Sequence, residues 1–312
     1  GQAAAAAAPN RELAQRGRRS PRGLVVSLDG AAPVPALYAR TNGTGTGVRV
    51  DGTTRIRDEF LETQFRSESA IGAGLSTLAG VFTRIESAFP EPSDHGIDAQ
   101  LGKFWNSWLQ VVDYPESEPV RATVLEQAKT VIDAVHLADR QLRQQHADIV
   151  TQTNILVDQV NELARQIHTY DQAIRTAVSA GLTPNDLLDQ RDLTVAKLTD
   201  LTGATVMAGE YGTVDIIVGG RALIHGDMVQ ELQVEEVDNP VYDALGLKEV
   251  RVSWAADGYP ATLSSGSIHG YLSGANDIVP KFIRGLDTVA EQLVTSVNAL
   301  HNSGKDLDGD PG

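Results

Sequence analysis

Between Pro119 and Gly181 the chain runs for 61 residues without a glycine or a proline. One row recurs through it at steps of three and four: Leu125, Ala128, Ile132, Val135, Asp139, Leu142, His146, Ile149, Thr153, Leu156, Val160, Leu163, Ile167, Tyr170 and Ile174. Twelve of these fifteen positions are apolar or aromatic. That is a heptad seam, not the stripe of an ordinary surface helix. It predicts one helix from Val120 to Ala180, about 90 Å long at ~1.5 Å per residue. A helix of that length cannot bury its seam on itself, so the rest of the chain has to supply partners.

The partners are legible in the same way. A helix starts near Asp58, with a seam of Leu61, Ile71, Leu75, Leu78, Phe82, Ile85 and Phe89, and Pro90 and Pro92 end it. Gly72, Gly74 and Gly80 weaken it by up to ~1 kcal/mol each against alanine unless close packing uses them. A shorter helix over Ile97 to Val112 carries Leu101, Phe104, Trp105 and Trp108, aromatics suited to capping the end of a bundle. Thr183 as cap and Pro184 in the first turn open another helix, with Leu187, Leu188, Val195, Leu198 and Leu201, and Gly203 stops it. The period then changes to two. Val214, Ile216 and Val218 alternate, and Thr205–Met207, Ala222–Ile224, Leu232–Val237 and Val250–Trp254 are further strands. Glu210-Tyr211-Gly212, Val218-Gly219-Gly220-Arg221 and Asp257-Gly258 supply turns. The helical period returns at Ile268. From there Val279, Phe282, Leu286, Val289, Leu293, Val297 and Leu300 form a last row, stopped by Gly304.

The expected fold class is therefore α+β: an elongated bundle of long, heptad-seamed antiparallel helices, with a small, mostly antiparallel β domain inserted between helices. Residues 1–23 read as a disordered or appended tail and 24–57 as an extended segment. Residues 58–202 and 267–305 form the helical rod, 203–266 the inserted β domain, and 306–312 a loop into a further C-terminal part. The β domain is expected to project from the rod. Removing about Gly203 to Gly266 should then be tolerated better than breaking the seam.

Charge narrows the function. The net charge is −15, but residues 1–22 hold five arginines and one glutamate, leaving 21 basic and 40 acidic residues in the remainder. A body that acidic repels phosphate backbones, so nucleic acid is not an expected partner. No apolar run reaches the length of a membrane span, so neither is a membrane. The absence of cysteine excludes disulfides and thiolate metal sites.

Candidate chemistry is sparse. His95, His136, His146, His168, His225, His269 and His301 are scattered, none at the i,i+4 spacing of a helical metal pair. His146 sits in the seam, where a polar residue fixes register or meets solvent. Asp306-x-Asp308-x-Asp310 opens like a calcium loop, but its sixth position is Pro311 rather than glycine. Asp186, Asp189 and Asp192, with Arg191 among them, could form a catalytic carboxylate pair, yet aspartates in a first turn also simply face the helix dipole. Gly43-x-Gly45-x-Gly47 lacks the spacing of a phosphate loop. No catalytic, cofactor or metal residue is assigned, no cofactor is expected, and the chain does not read as an enzyme.

Several ordered motifs carry a resemblance. They are Gly47-Val48-x-Val50-x-Gly52-x-x-Arg55-x-x-Asp58-x-Phe60-Leu61; Leu101-x-x-Phe104-Trp105-x-x-Trp108 with Pro115, Arg121 and Val124-Leu125; Asp158-Gln159-Val160-Asn161-x-Leu163-x-x-Gln166-Ile167; Pro184-Asn185-Asp186-Leu187-Leu188-Asp189-Gln190-Arg191-Asp192; Leu286-Asp287-x-Val289-Ala290; and Val297-Asn298-x-x-His301-x-x-Gly304-x-Asp306. In these the chain, over about 28–312, resembles the FlgK family of flagellar hook-associated proteins. The resemblance implies a structural part of the bacterial flagellum at the junction of hook and filament. It implies as partners the flagellar hook protein, a second hook–filament junction protein and a flagellar export chaperone, with self-assembly in the full-length protein. It implies type III flagellar export and an extracellular place. Residues 1–27 do not match the family's opening, and its closing helix is not in the sequence, so a middle portion is expected, monomeric in dilute solution. The alternative is an extracellular coiled-coil adhesin or adaptor whose β domain holds a partner.

Overall fold

A computed structural model describes residues 59–305 in full, together with the strand backbones of Gly23–Gly30 and Val48–Ile56. Those two strands, β1 and β2, pair antiparallel within the segment read as extended. The expectations for 1–22, for the glycine triplet at 43–47 and for 306–312 lie outside the described residues.

Four helices precede the main sheets: α1 (Glu59–Ala88), α2 (Ile97–Asp113), α3 (Glu118–Ser179) and α4 (Asn185–Thr202). Helix α3 is continuous over 62 residues, about 93 Å at ~1.5 Å per residue. It begins two residues before Val120 because Pro119, lacking an N–H, costs nothing in a first turn. It ends in a paired cap: Gly181, at φ +78°, donates its N–H to the Val178 carbonyl (2.9 Å), and Leu182 donates to the Ala177 carbonyl (2.9 Å). Helix α4 starts at Asn185 with Pro184 at the cap position, so Thr183 does not cap it as expected.

Strands β3 (Thr205–Ala208), β4 (Val214–Val218), β5 (Arg221–His225) and β6 (Met228–Val229) form one antiparallel sheet in that order, and β7 (Leu232–Val237) pairs with β8 (Glu249–Trp254) as a separate hairpin. The short β6 and the one-turn α5 (Pro240–Asp243), capped by the Asn239 side chain, have no counterpart in the sequence reading. Helices α6 (Gly266–Ser273) and α7 (Val279–Ser303) follow, joined by a π-helical turn over Gly274–Ile278, with Pro280 in the first turn of α7.

Three cores lie along α3. At its C-terminal half, Val157, Val160, Leu163 and Ile167 pack with Val195 and Leu198 of α4, Ile216 and Leu223 of the sheet, Trp254 of the hairpin, and Ile268. In the middle, Leu142 and Ile149 pack with Val81 and Ile85 of α1 and with Val250, Val279 and Ile283. Near its start there is only a thin core of Phe104, Val124 and Val131. The β domain therefore shares its core with α3 and α4 rather than projecting free of them, and removing Gly203 to Gly266 would strip the strands from the C-terminal half of the long seam.

The expected rows hold in part. Along α3 the row from Leu142 to Ile174 faces inward, but Leu125 and Ile132 are 65% and 51% exposed, while Val124, Val131 and Ala138 are buried in their place. A straight helix drifts by ~20° per heptad against a strict 3.5 repeat. Here the partners also change, from α1, α4 and the strands to α2 and α7. Helix α1 buries Ala70, Gly74, Val81 and Ile85; of the expected row, Ile85 is buried and Leu78 and Phe89 half-buried, but Leu61, Ile71, Leu75 and Phe82 are exposed. The cause is a close crossing with α6. A Cβ on Gly74 would stand 2.9 Å from the Gly266 carbonyl oxygen, and one on Gly270 would stand 2.5 Å from the Gly74 carbonyl oxygen. The approach requires the small face of α1, so the large row is turned away.

Candidate functional site

The aspartate-rich start of α4 contributes one side of a buried ionic cluster. Arg191, Asp192 and Asp171 are each at most 2% exposed. The Arg191 guanidinium donates from Nη1 to Asp171 Oδ1 (3.3 Å), from Nε and Nη2 to Asp192 Oδ1 (3.2 and 2.9 Å), and also to the Gly212 carbonyl. Asp171 Oδ2 accepts the Val214 N–H at 3.2 Å. One arginine thus joins α3, α4 and the turn into β4. Burial raises the Asp171 carboxyl above the usual carboxylate range, against the opposing pull of the Val214 N–H and Arg191. Of the three aspartates weighed as a carboxylate group, Asp192 enters the cluster, Asp186 is exposed and Asp189 is half-buried. The missing partner, Asp171, lies four residues after Ile167 and three before Ile174, on the buried stripe of α3; a carboxylate there was the available signal.

Two asparagines hold the hairpin by its outer edges. Asn161 of α3 donates from Nδ2 to the Leu232 carbonyl (2.8 Å) and accepts the Leu232 N–H at Oδ1 (2.9 Å). Asn276, in the π-helical turn, does the same to Val250, at 2.7 and 2.9 Å. Each side-chain amide stands in for a neighbouring strand, satisfying edge groups that burial would otherwise strand. The π-helical turn places Asn276 there, a use of such bulges that periodicity alone does not announce.

The histidines stay apart. His146 is buried beside Gln145. Burial lowers its pKa, opposed by Glu236. His168 Nε2 lies 2.9 Å from Gln172 Nε2, and His225 Nδ1 lies 3.0 Å from Asp215 Oδ2. Among the described residues, no three of His, Asp and Glu converge as metal ligands. No described helix is long and apolar enough to cross a membrane.

What the surface offers is apolar. Phe104 caps the thin core as expected, with Trp105 and Trp108 against its ring at 4.9 and 6.3 Å. Both tryptophans also line an open groove of about 440 Å³ with Val297, Leu300 and His301 of α7. A second groove, of about 460 Å³, runs between Phe89 and Ile97 on one side and Phe282, Gly285 and Val289 on the other.

Comparison with known proteins converges on one description. The model of the flagellar hook-associated protein FlgK helical domain matches residues 82–312. Flagellar hook-associated protein 1 of Bacillus subtilis is 25% identical over 313 residues, covering 92% of this chain and 62% of that protein. The proteins of the same name from Salmonella typhimurium and Escherichia coli are 28% and 26% identical, each covering 88% of this chain and 52% of the relative. The chain thus spans between half and two thirds of the length of these relatives. Among solved structures, the flagellar hook junction protein FlgK from Burkholderia pseudomallei matches with a TM-score of 0.65 at 24% identity, over 80% of this chain and 45% of that one, which is a likeness of fold.

Proposed function

The chain belongs to the FlgK family of flagellar hook-associated proteins, and from that premise we propose that it is a structural component of the bacterial flagellum that joins hook to filament. In this reading it stands between the flagellar hook protein and a second hook–filament junction protein. A flagellar export chaperone accompanies it before type III export, and copies of the full-length protein associate outside the cell. The helical rod is assigned to 58–202 and 267–305, and the inserted β domain to 203–266.

The observation that carries the reading is the match to the family's helical domain, which takes in the long helix and the strands packed on it. A second support comes from where the polar groups are spent. Arg191, Asp171 and Asp192 bind one another, and Asn161 and Asn276 bind strand backbone, so their hydrogen-bonding capacity goes into holding elements together. That suits a part that works by shape and surface.

The test uses the full-length gene in a flagellated strain lacking its own copy, with swimming and filament attachment as readouts. Replacing His146, His168 and His301 together by Gln should leave motility largely intact. Leu156→Pro should abolish filament attachment, because a proline in the interior of α3 removes a backbone bond and bends the helix at about 3 kcal/mol or more. Loss of motility from the histidine variant, in protein still folded and exported, would overturn the structural reading.

A further inference from the structure

The turn after β8 is closed by a chemically labile pair. Gly258 stands at φ +69°, in left-handed backbone that favours glycine. A methyl group there would meet nothing nearer than Glu235 Oε1 at 3.8 Å, so conformation and not space selects the residue. Asp257 accepts the Tyr259 N–H at Oδ1 (3.1 Å), a reach of two residues that suits a short polar side chain. The turn therefore favours Asp-Gly, and the same pair is open to attack. Glycine sets no side chain over the carboxyl before it, so its amide nitrogen can close on the aspartate Cγ. A bond from nitrogen to Cγ forms, one carboxyl oxygen leaves as water, and a five-membered succinimide results. Water then opens that ring. Attack at the former backbone carbonyl leaves isoaspartate, with an extra methylene in the main chain. The two steps release and take up one water and need no oxidant or cofactor.

We propose that Asp257–Gly258 is a site of spontaneous isomerisation and that Arg221 guards it. Arg221, at the start of β5, donates from Nη1 to Asp257 Oδ2 (2.7 Å) and from Nη2 to Gln230 Oε1 (2.6 Å). Its guanidinium lies 4.8 Å from the centre of the buried Trp254 ring. Gln230 is itself tied, through Nε2, to the Ala222 carbonyl (2.9 Å). Held on three sides, Arg221 does not wander as the cation of a loose surface pair does. It acts on both reacting groups. Ring closure goes through the neutral acid, because a carboxylate has no good leaving group. The hydrogen bond from Arg221, with that from the Tyr259 N–H, holds the Asp257 carboxyl below the usual range and so keeps it ionised. With both oxygens engaged, the carboxyl is kept from turning over the Gly258 nitrogen, whose N–H is bonded to the Trp254 carbonyl at 2.8 Å. The consequence of failure is local unpacking. Trp254 N–H to Tyr259 carbonyl (2.9 Å) and Ala261 N–H to Val252 carbonyl (2.8 Å) seat the returning segment on β8. An extra methylene at the turn would pull that segment, with the buried Ala261 and Leu263, off the core.

The chain carries three other Asp-Gly pairs, Asp29–Gly30, Asp51–Gly52 and Asp308–Gly309, which serve as internal references. The intact chain is held for weeks near neutral pH, both folded and in concentrated urea, and isoaspartate at each pair is read by peptide mapping. In urea Asp257 should isomerise as fast as the references, and in the folded protein more slowly than in urea. Arg221→Gln should raise the folded-state rate at Asp257 by about threefold or more, since the neutral fraction changes tenfold per pKa unit and half a unit suffices for that. The references should not change. Arg221→Lys keeps a cation but loses the fork to Gln230, and its rate should fall between the two. Absence of isoaspartate at Asp257 in urea would overturn the site. A folded-state rate equal to that in urea, or rates in both Arg221 variants equal to that of the wild type, would overturn the guard. So would a rise at all four pairs together, which would mean that the substitution acts by unfolding the chain.

Discussion

Replacing Arg191 by Met tests the tie between the long helix and the β domain. The substitution keeps most of the apolar stem and removes the guanidinium. It leaves Asp171 and Asp192 buried without their shared cation, and the Gly212 carbonyl without its donor. Removing one partner of a buried ion pair costs about 3–5 kcal/mol, chiefly because the remaining charge stays desolvated. For a domain of this size ~1 kcal/mol moves Tm by roughly 2–4 °C, so a fall of about 6–20 °C is expected. The pH dependence identifies the cause. The Asp171 carboxyl is already raised by burial, and losing Arg191 raises it further. A carboxyl raised in the folded state contributes stability below its unfolded pKa and loses it as pH rises through the folded value. The deficit of Arg191→Met should therefore shrink as pH falls from neutrality into the acid range. Adding Asp171→Leu should recover part of the loss, a coupling of about 0.5–3 kcal/mol. Thermal and urea melts of the four proteins in this cycle, read across pH, measure all three quantities. A Tm for Arg191→Met within ~2 °C of wild type at neutral pH, or a deficit that grows on acidification, would refute the reasoning.

Leu163→Asp places a carboxylate in the core against α4 and the strands and should lower Tm by several degrees or prevent folding, whereas Glu162→Ala, on the exposed side, should leave it within about 0.5 kcal/mol; circular-dichroism melts compare the two. Burial lowers the folded pKa of His146, so the unfolded chain takes up a proton near its ordinary value of 6.5 while the folded chain resists. Stability should therefore fall as pH drops from about 7.5 to about 5.5, and His146→Gln should flatten that limb of the Tm profile. Asn161→Leu strands the N–H and carbonyl of Leu232 at a cost of about 1–3 kcal/mol per group. Hydrogen exchange should show the Leu232 amide losing protection, and unchanged protection there would remove the clamp from the account.

The sequence by itself determined the long helices, most of the strands and the inner half of the seam. Pro119, Gly181 and Gly203 mark helix ends because missing donors and left-handed backbone are local properties, readable one residue at a time. The alternation Val214, Ile216, Val218 marks β4, and the row from Leu142 to Ile174 marks the buried side of α3, because each has the period of its own backbone. Which face an element uses was not local. Helix α1 had a large row and a small row, and the choice between them depended on how closely α6 could approach at Gly74, Gly266 and Gly270. The chain offered Leu125 and Ile132 as seam, but near the start of α3 the partners change to α2 and α7, and Val124 and Val131 are buried instead. Arg191 was legible as a charged residue among aspartates, yet one of its two carboxylate partners, Asp171, lies twenty residues away on another helix. Asn161 and Asn276 bind strands 71 and 26 residues distant in sequence. Periodicity records which side chains prefer to leave water; it does not record which neighbour arrives or how near it comes. Those are properties of pairs of elements, and only their packing decided them.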